Sequence, residues 1–217
     1  MGDEVDLLRR QAHAYLYLNE ALSALIGREI GAPVPEPASL RLEPDQVRAF
    51  KPNFDAKDLV IFATARIDPS EPLSSAAVDA VDAAQPASIV VLDQLVWNTD
   101  RLGKPEHVLA ESTGDGAWQL WAVDHGHTFC IQDTLDDSLL AAERVAQDPY
   151  DQLLRVVTRQ TLEPIIEKAL ALGREGFERL IRMLPGEWIV QPDAPERLAQ
   201  ALERRAQALD KVLYVYV

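Results

Sequence analysis

The segment 107-HVLAESTGDGAWQLWAVD-124 constrains the fold more than any other part of the chain. Two short runs rich in apolar and aromatic residues flank TGDGA, and an Asp-Gly pair between such runs is a strong signal for a β-hairpin. A hairpin brings the chain back to where it started. We therefore expect Asp124, at the end of the second strand, to lie near Asp100 in the preceding polar loop, 98-NTDRLGKPE-106.

Helical periodicity dominates on both sides of this hairpin. Apolar residues at spacings of three and four predict a long amphipathic helix over 4–30 that ends at Gly31. Further helices are predicted over 74–84, 86–97, 133–147, 150–172, 174–184 and 194–210, with a short strand at SLRLE and a buried strand at 58–67. Because no linker or repeat divides the chain, we predict one unit with a mainly helical α+β fold.

The charge of the chain argues against two classes of partner. At pH 7 the 217 residues carry a formal net charge of −14, which disfavours both nucleic acid and anionic membrane surfaces. The acidic N-terminus does not resemble a signal peptide, and no apolar run approaches the ~20 residues of a membrane span. Cys130 is the single cysteine and allows no internal disulfide, so we expect a cytoplasmic protein.

Two aspartates on one cleft would suit phosphoryl transfer. One carboxylate can orient and deprotonate an attacking hydroxyl while the other holds a Mg²⁺ that bridges phosphates. The simpler interpretation is that Asp100 caps a turn and Asp124 ends a strand at the surface. A third interpretation is a metal-dependent hydrolase, in which Asp124, His125 and His127 hold zinc or iron.

Two motifs resemble those of a known family. The sequence N-T-D-R at 98–101, followed by V-D-H-G-H-T-F at 123–129, resembles the HipA-like kinases, a bacterial branch of the protein-kinase-like superfamily. The resemblance implies a kinase-like unit, with residues 1–67 as a partial N-lobe and 68–217 as a helical C-lobe that carries the catalytic loop and the hairpin. It also implies ATP and Mg²⁺ as cofactors and a hydroxyl acceptor, with protein Ser/Thr as the expected substrate.

The same resemblance implies roles for individual residues. Asp100 matches the catalytic base, Asn98 the residue that braces the loop, and Arg101 the arginine that follows the base. Asp124 matches the metal-binding aspartate. Glu20, on the first helix, matches the glutamate that pairs with a phosphate-binding lysine.

The sequence departs from the family pattern at two places. None of the 19 residues before Glu20 is a lysine, and the front of the N-lobe, with its glycine-rich loop, is missing from the sequence. The asparagine usually found five or seven positions after the catalytic aspartate is replaced by Pro105 and His107, of which His107 could ligate a metal. Two explanations stay open for the first departure. Either the native protein is longer and active, or it is a degenerate kinase that acts as a binding or scaffold module with a partner protein.

Overall fold

The computed structural model describes residues 2–50, 59–67, 71–114, 116–129, 151–189 and 191–217. The helices in these ranges are α1 (Gly2–Ile30), α2 (Pro44–Phe50), α3 (Ser75–Ala80), α4 (Ala84–Leu95), α5 (Asp151–Leu154), α6 (Arg159–Arg182) and α7 (Ala194–Leu213). The strands are β1 (Pro37–Leu42), β2 (Leu59–Thr64), β3 (Glu71–Pro72), β4 (Val108–Gly114) and β5 (Ala117–Ala122). Short 3-10 helices cover Arg101–Gly103, Pro105–His107 and Gly186–Trp188. The fold is mainly helical α+β, as the sequence predicts.

Helix α1 ends where the sequence predicts, and the hydrogen bonds show why. Gly31 has a φ of 86°, in the left-handed region that glycine adopts without a Cβ clash. The Ala32 N–H donates to the Gly27 carbonyl at 2.7 Å, and the Gly31 N–H donates to the Arg28 carbonyl at 3.2 Å. This pair of bonds is a Schellman motif, which satisfies carbonyls of the last helical turn and turns the chain sharply out of α1.

The five strands form two small antiparallel sheets. Strands β1 and β2 pair from Pro37 opposite Thr64 to Leu42 opposite Leu59. The second sheet has the order β3-β4-β5 and contains the predicted hairpin. The prediction that 58–67 is a buried strand was wrong for most of β2, where Val60 is buried and the flanking residues are partly exposed. The physical reason is that β2 lies in a sheet of two strands and has β1 as its one neighbouring strand there, so much of its surface stays accessible.

The helices build one core around α4. Helices α6 and α7 pack against each other, and α4 contacts α1, α6 and α7. All ten residues from Pro86 to Leu95 are buried, so α4 presents no solvent face over most of its length. Buried residues from β2 to α7 belong to the same hydrophobic cluster. The Trp188 indole N–H also donates to the Val60 carbonyl at 2.9 Å, which ties β2 to the helical part.

Most other sequence-based boundaries agree with the structure, but the prediction of one helix over 150–172 was wrong. Helix α5 ends at Leu154 and α6 begins at Arg159, because the Thr158 side chain accepts from the Thr161 N–H and caps a new helix. Ser74 caps α3 by accepting from the Ala77 N–H, and Gly173 interrupts α6 with a φ of 54°, at the predicted junction between 150–172 and 174–184. The predicted helix over 133–147 lies outside the described residues, and the division into lobes at residue 67 stays a prediction. None of the described helices is both long and apolar enough to cross a bilayer.

Candidate functional site

Asp100, His107 and Asp124 lie close together where β4 begins and β5 ends. The His107 Nε2 atom lies 3.3 Å from an Asp124 carboxylate oxygen, and the His107 Nδ1 atom lies 3.9 Å from an Asp100 carboxylate oxygen. The Val123 N–H donates to the His107 carbonyl at 2.9 Å, which extends the hairpin pairing by one more bond. The structure therefore brings Asp100 and Asp124 to either side of one imidazole, as the hairpin geometry predicts.

The loop that carries Asp100 is held from inside. Asn98 is buried, and its side-chain oxygen accepts from the Asp100 N–H at 3.1 Å. Its amide nitrogen donates to Asp93 Oδ1 at 2.8 Å, one turn back on α4. Thr99 bonds through its N–H and its hydroxyl to the His127 carbonyl, at 3.3 and 3.2 Å. Asn98 thus makes the contacts needed to brace the loop, and Thr99 joins the loop to the second motif.

Arg101 connects the elements of the site. Its side chain, 3% exposed, donates to both carboxylate oxygens of Asp93, at 2.9 and 3.1 Å. It also donates to the carbonyls of His107 and Val123, at 2.6 and 3.0 Å, and lies 3.2 Å from His125 Nε2. A guanidinium presents several donors in a fixed plane, which suits a residue that must satisfy groups from three segments at once. The side chain of Arg101 therefore holds these segments together.

His125 is a neutral structural histidine. Burial lowers its pKa to about 3, and the nearby Arg101 guanidinium lowers it further in the same direction. Because guanidinium is only a donor, Nε2 must be the acceptor and the ring proton belongs on Nδ1. His125 is buried whereas His127 and Asp124 are exposed. In the described part of the chain no three His, Cys, Asp or Glu side chains are arranged so that they could together hold a metal ion, so Asp124, His125 and His127 do not form the predicted hydrolase site.

Helix α1 clamps the second motif through polar side chains. The Asn19 amide donates to the Gly126 carbonyl at 2.8 Å, and the Glu20 carboxylate accepts from the His125 N–H at 2.9 Å. One turn further on, the Ser23 hydroxyl lies 3.2 Å from that of Thr128. A side chain at position 126 would overlap Leu16, so glycine permits this close approach. These contacts fix the segment after Asp124 against α1.

Glu20 is the group whose charge is least stabilised. Burial raises its pKa to about 7; the His125 N–H bond opposes that rise and the neighbouring Asp124 charge adds to it. Among the described residues, the cation with a stabilising effect on Glu20 is Arg101, which is already paired with Asp93. The lysine expected to face Glu20 is not seen in this part of the chain.

Asp124 sits in an unusual backbone conformation. Its φ is 56°, as is that of Trp97 just before the loop that carries Asp100 and that of Phe129 at the end of the second motif. Non-glycine residues in this region carry strain, of the order of 1 kcal/mol or more, and such strain concentrates at functional sites. The Phe129 N–H donates to the Val96 carbonyl at 2.8 Å, so the strained turns are joined. The conformation leaves the Asp124 side chain 49% exposed.

A pocket of about 250 Å³ opens beside Asp124. It lies between α1, the segment after α1, β2 and the end of β5. Its lining combines apolar and polar side chains: the apolar ones are Ala24, Val34, Pro35, Phe62, Ala122 and Val123, and the polar or ionisable ones are Glu20, Thr64, Asp124 and His125. Small-molecule sites commonly pair an apolar wall with a few convergent polar groups, although most are larger, at ~300–1,000 Å³.

The side chains present fit a divalent metal only in part. His107 and Asp124 offer one nitrogen and one oxygen donor to the same point in space, and His107 Nδ1 is buried without a hydrogen-bond partner. Two protein donors do not enclose an ion. They do suffice where phosphates and water complete the coordination, as is usual for Mg²⁺ in phosphoryl-transfer sites.

Sequence reasoning missed the residues that support the motifs. Asp93 was read as part of an apolar helix, yet it pairs with both Arg101 and Asn98. The signal was present, because Asp93 is the single charged residue in 86-PASIVVLDQLVW-97. Asn19 and Ser23 gave no comparable signal, since polar residues on an amphipathic helix ordinarily face solvent.

Comparison with known proteins gives one finding. No curated protein matches the chain. A sequence profile described as HipA-like kinase matches residues 9–214, which is nearly the whole sequence. The match includes both motifs, the α1 residues that clamp them and the helical remainder. The chain therefore belongs to the HipA-like kinase family.

Proposed function

We propose that the chain binds a nucleoside triphosphate with a divalent metal and transfers its terminal phosphoryl group to a hydroxyl of a protein Ser or Thr. The observation that carries the proposal is that Asp100 and Asp124 lie on either side of the His107 imidazole, with Asp124 also lining the pocket. Membership in the HipA-like kinase family supports the reaction class. Catalysis of this reaction consists mainly of positioning and charge stabilisation, so a few well-held side chains are enough.

Each proposed role follows from the environment of the residue. Asp100 is 28% exposed at its side chain, so it can reach an incoming hydroxyl, orient it and accept its proton. Asn98 and Arg101 are buried and hold the loop through Asp93. Asp124 and His107 would hold the metal. When bound, Mg²⁺-ATP supplies the phosphoryl group and the charge that neutralises the phosphate oxygens.

The pocket suits one part of the nucleotide. Its apolar wall of Ala24, Val34 and Phe62 can receive the base, because aromatic and aliphatic side chains pack well against a flat ring. The wall leads directly to Asp124, where the phosphates would meet the metal. At about 250 Å³ the pocket has room for the base and part of the sugar, with the phosphates near its mouth.

A second function is favoured by one specific observation. Burial raises the pKa of Glu20 to about 7, and no lysine of the described residues pairs with it, so the carboxyl is partly protonated near neutral pH. An active kinase of this superfamily uses an ion pair at this position to hold the phosphates. A pseudokinase that binds a nucleotide or a partner protein without transferring phosphate is therefore the alternative function, and it needs no charge at Glu20.

Calorimetry with ADP, with and without a divalent cation, tests the binding step. We expect ADP binding to require the metal, and Asp124→Asn to weaken it by tenfold or more because the variant loses the charge that faces the metal. Asp79→Asn is the matched control, since Asp79 lies in an exposed ion pair with Arg155. Equal binding by wild type and Asp124→Asn would refute the assignment of Asp124.

Transfer of radiolabelled phosphate from ATP separates the two functions. An active kinase predicts labelling of a protein acceptor that disappears in Asp100→Asn, while ADP binding is kept. Metal-dependent binding without any labelling, in the wild type as in Asp100→Asn, would favour the pseudokinase. Absence of both binding and labelling would refute the proposal.

A further inference from the structure

The imidazole of His107 occupies a place where a magnesium site would be expected to offer oxygen. It lies seven positions after Asp100, one of the two positions (with Pro105) at which the family resemblance implies an asparagine, and its Nε2 faces Asp124 at 3.3 Å. Oxygen ligands suit Mg²⁺, whereas imidazole suits first-row transition metals. On the basis of the proposed function, we propose that this site selects a transition-metal dication such as Mn²⁺ or Co²⁺ over Mg²⁺, with His107 and Asp124 as its protein ligands.

The distance between the two donor atoms fits one shared ion. Metal–nitrogen and metal–oxygen bonds of ~2.1 Å, at angles of about 90–109°, place the two donors about 3.0–3.4 Å apart. The observed 3.3 Å between His107 Nε2 and Asp124 Oδ2 falls within that range. The ligand atoms would therefore need little movement to share a metal.

The backbone of His107 is held in place from three directions. Its N–H donates to the Lys104 carbonyl at 3.0 Å. Its carbonyl accepts from Arg101 at 2.6 Å and from the Val123 N–H at 2.9 Å. The side chain is 12% exposed, so neighbouring atoms also restrict the ring. A ligand held this firmly loses little conformational freedom when it binds a metal.

The second ring nitrogen provides an independent argument. His107 Nδ1 is buried and has no hydrogen-bond partner, and a carboxylate oxygen of Asp100 lies 3.9 Å away. A histidine that ligates a metal through one nitrogen ordinarily donates its other N–H to a carboxylate or carbonyl. Coordination through Nε2 would place the ring proton on Nδ1, facing Asp100, and a shift of under about 1 Å would complete that bond.

The surrounding charges favour a dication. The Arg101 guanidinium is paired with Asp93, which offsets its charge, so Asp100 and Asp124 carry the local negative charge around His107. Glu20 adds a further acidic group on the side of α1. Two protein ligands leave the remaining coordination positions to phosphate oxygens and water. The ion is therefore expected to bind tightly only together with a nucleotide.

Pulsed electron paramagnetic resonance of Mn²⁺ bound to the full chain with ADP tests the proposal directly. We expect a ¹⁴N coupling from a directly bound imidazole in the wild type and its loss in His107→Asn. In competition calorimetry we expect Mn²⁺ to be preferred over Mg²⁺ by at least ~10-fold, and His107→Asn to reduce that preference about tenfold because an amide oxygen replaces the imidazole.

His127→Asn is the matched control, because His127 is an exposed histidine in the same motif and should leave the coupling and the preference unchanged. Circular dichroism and thermal melting check that each variant is folded, and His107→Gln serves as a second variant if His107→Asn is not. The inference would be overturned if the wild-type metal–ADP complex showed no ¹⁴N coupling and His107→Asn kept the same metal preference. If binding of that complex still required Asp124, the proposed function would stand. A wild type that binds no metal–ADP complex would overturn both.

Discussion

The buried ion pair between Asp93 and Arg101 gives the strongest prediction for stability. The two side chains are 8% and 3% exposed, and Asp93 accepts three hydrogen bonds, from Arg101 Nε, Arg101 Nη2 and Asn98 Nδ2. Asp93→Asn keeps the shape, removes the charge and points an amide N–H₂ at donors. The guanidinium is then left buried without its counterion. Breaking one side of a buried pair costs roughly 3–5 kcal/mol.

Urea denaturation measures this loss, and an exposed pair provides the control. Asp79 and Arg155 lie 3.2 Å apart with side chains about half exposed, so Asp79→Asn should cost less than ~1 kcal/mol. We expect Asp93→Asn to lower the free energy of unfolding by at least ~2 kcal/mol more than Asp79→Asn. In the double variant Asp93→Asn/Arg101→Met, the loss should be smaller than the sum of the single losses, because no unpaired charge remains. Equal effects of Asp93→Asn and Asp79→Asn, or additive effects of the two variants of the buried pair, would refute the reasoning.

Three further predictions concern the polar side chains of His125, Glu20 and Arg205. Folding lowers the pKa of His125 from 6.5 to about 3, so its contribution to stability is lost as pH falls from about 6.5 towards 3. In urea denaturation at a series of pH values, His125→Gln should therefore make the free energy of unfolding depend less steeply on pH in that range. The pKa of Glu20 is raised from 4.5 to about 7, so the folded state binds the extra proton and stability falls as pH rises from about 4.5 through 7. The two slopes oppose each other between pH 4.5 and 6.5; Glu20→Gln should therefore make stability rise with pH more steeply there, and an unchanged slope would contradict the burial of Glu20. Buried Arg205 donates to the carbonyls of Gln94 and Leu95, and its guanidinium lies 4.3 Å from the centre of the Trp97 ring, so Arg205→Met should lower the free energy of unfolding by about 2–4 kcal/mol. Arg204 is its exposed neighbour, and the control variant Arg204→Met should change the free energy of unfolding by no more than ~0.5 kcal/mol. Equal losses in the two variants would refute the role of Arg205.

The sequence was sufficient for features that depend on local chemistry. The Asp-Gly turn predicts the hairpin, and the hairpin in turn predicts that Asp124 returns towards Asp100. Gly31 predicts the end of α1, and a helix is predicted from residue 74, where Ser74 caps α3. These features follow from neighbouring residues alone, because backbone conformation and helix capping are decided within a few positions.

Contacts between distant segments were beyond the sequence. The bond from Asn19 to Gly126 joins residues 107 positions apart, and nothing in the helical pattern of α1 distinguishes Asn19 from a solvent-facing residue. The spacing of His125 and His127 likewise did not predict that the first ring is buried and the second exposed. A single turn at Gly126 sends one ring into the core and leaves the other exposed, whereas a continuous strand would have placed both on one face. Tertiary packing, rather than local propensity, decided these outcomes.

The central claim is that Asp124, His107 and the loop around Asp100 form one metal–nucleotide site. Paramagnetic broadening of backbone amide signals by Mn²⁺ with ADP, measured by ¹⁵N-resolved NMR, tests it most directly. We expect the broadening to centre on residues 98–101, 107 and 122–127 and to disappear in Asp124→Asn. Broadening centred elsewhere, or the same pattern in Asp124→Asn, would contradict it.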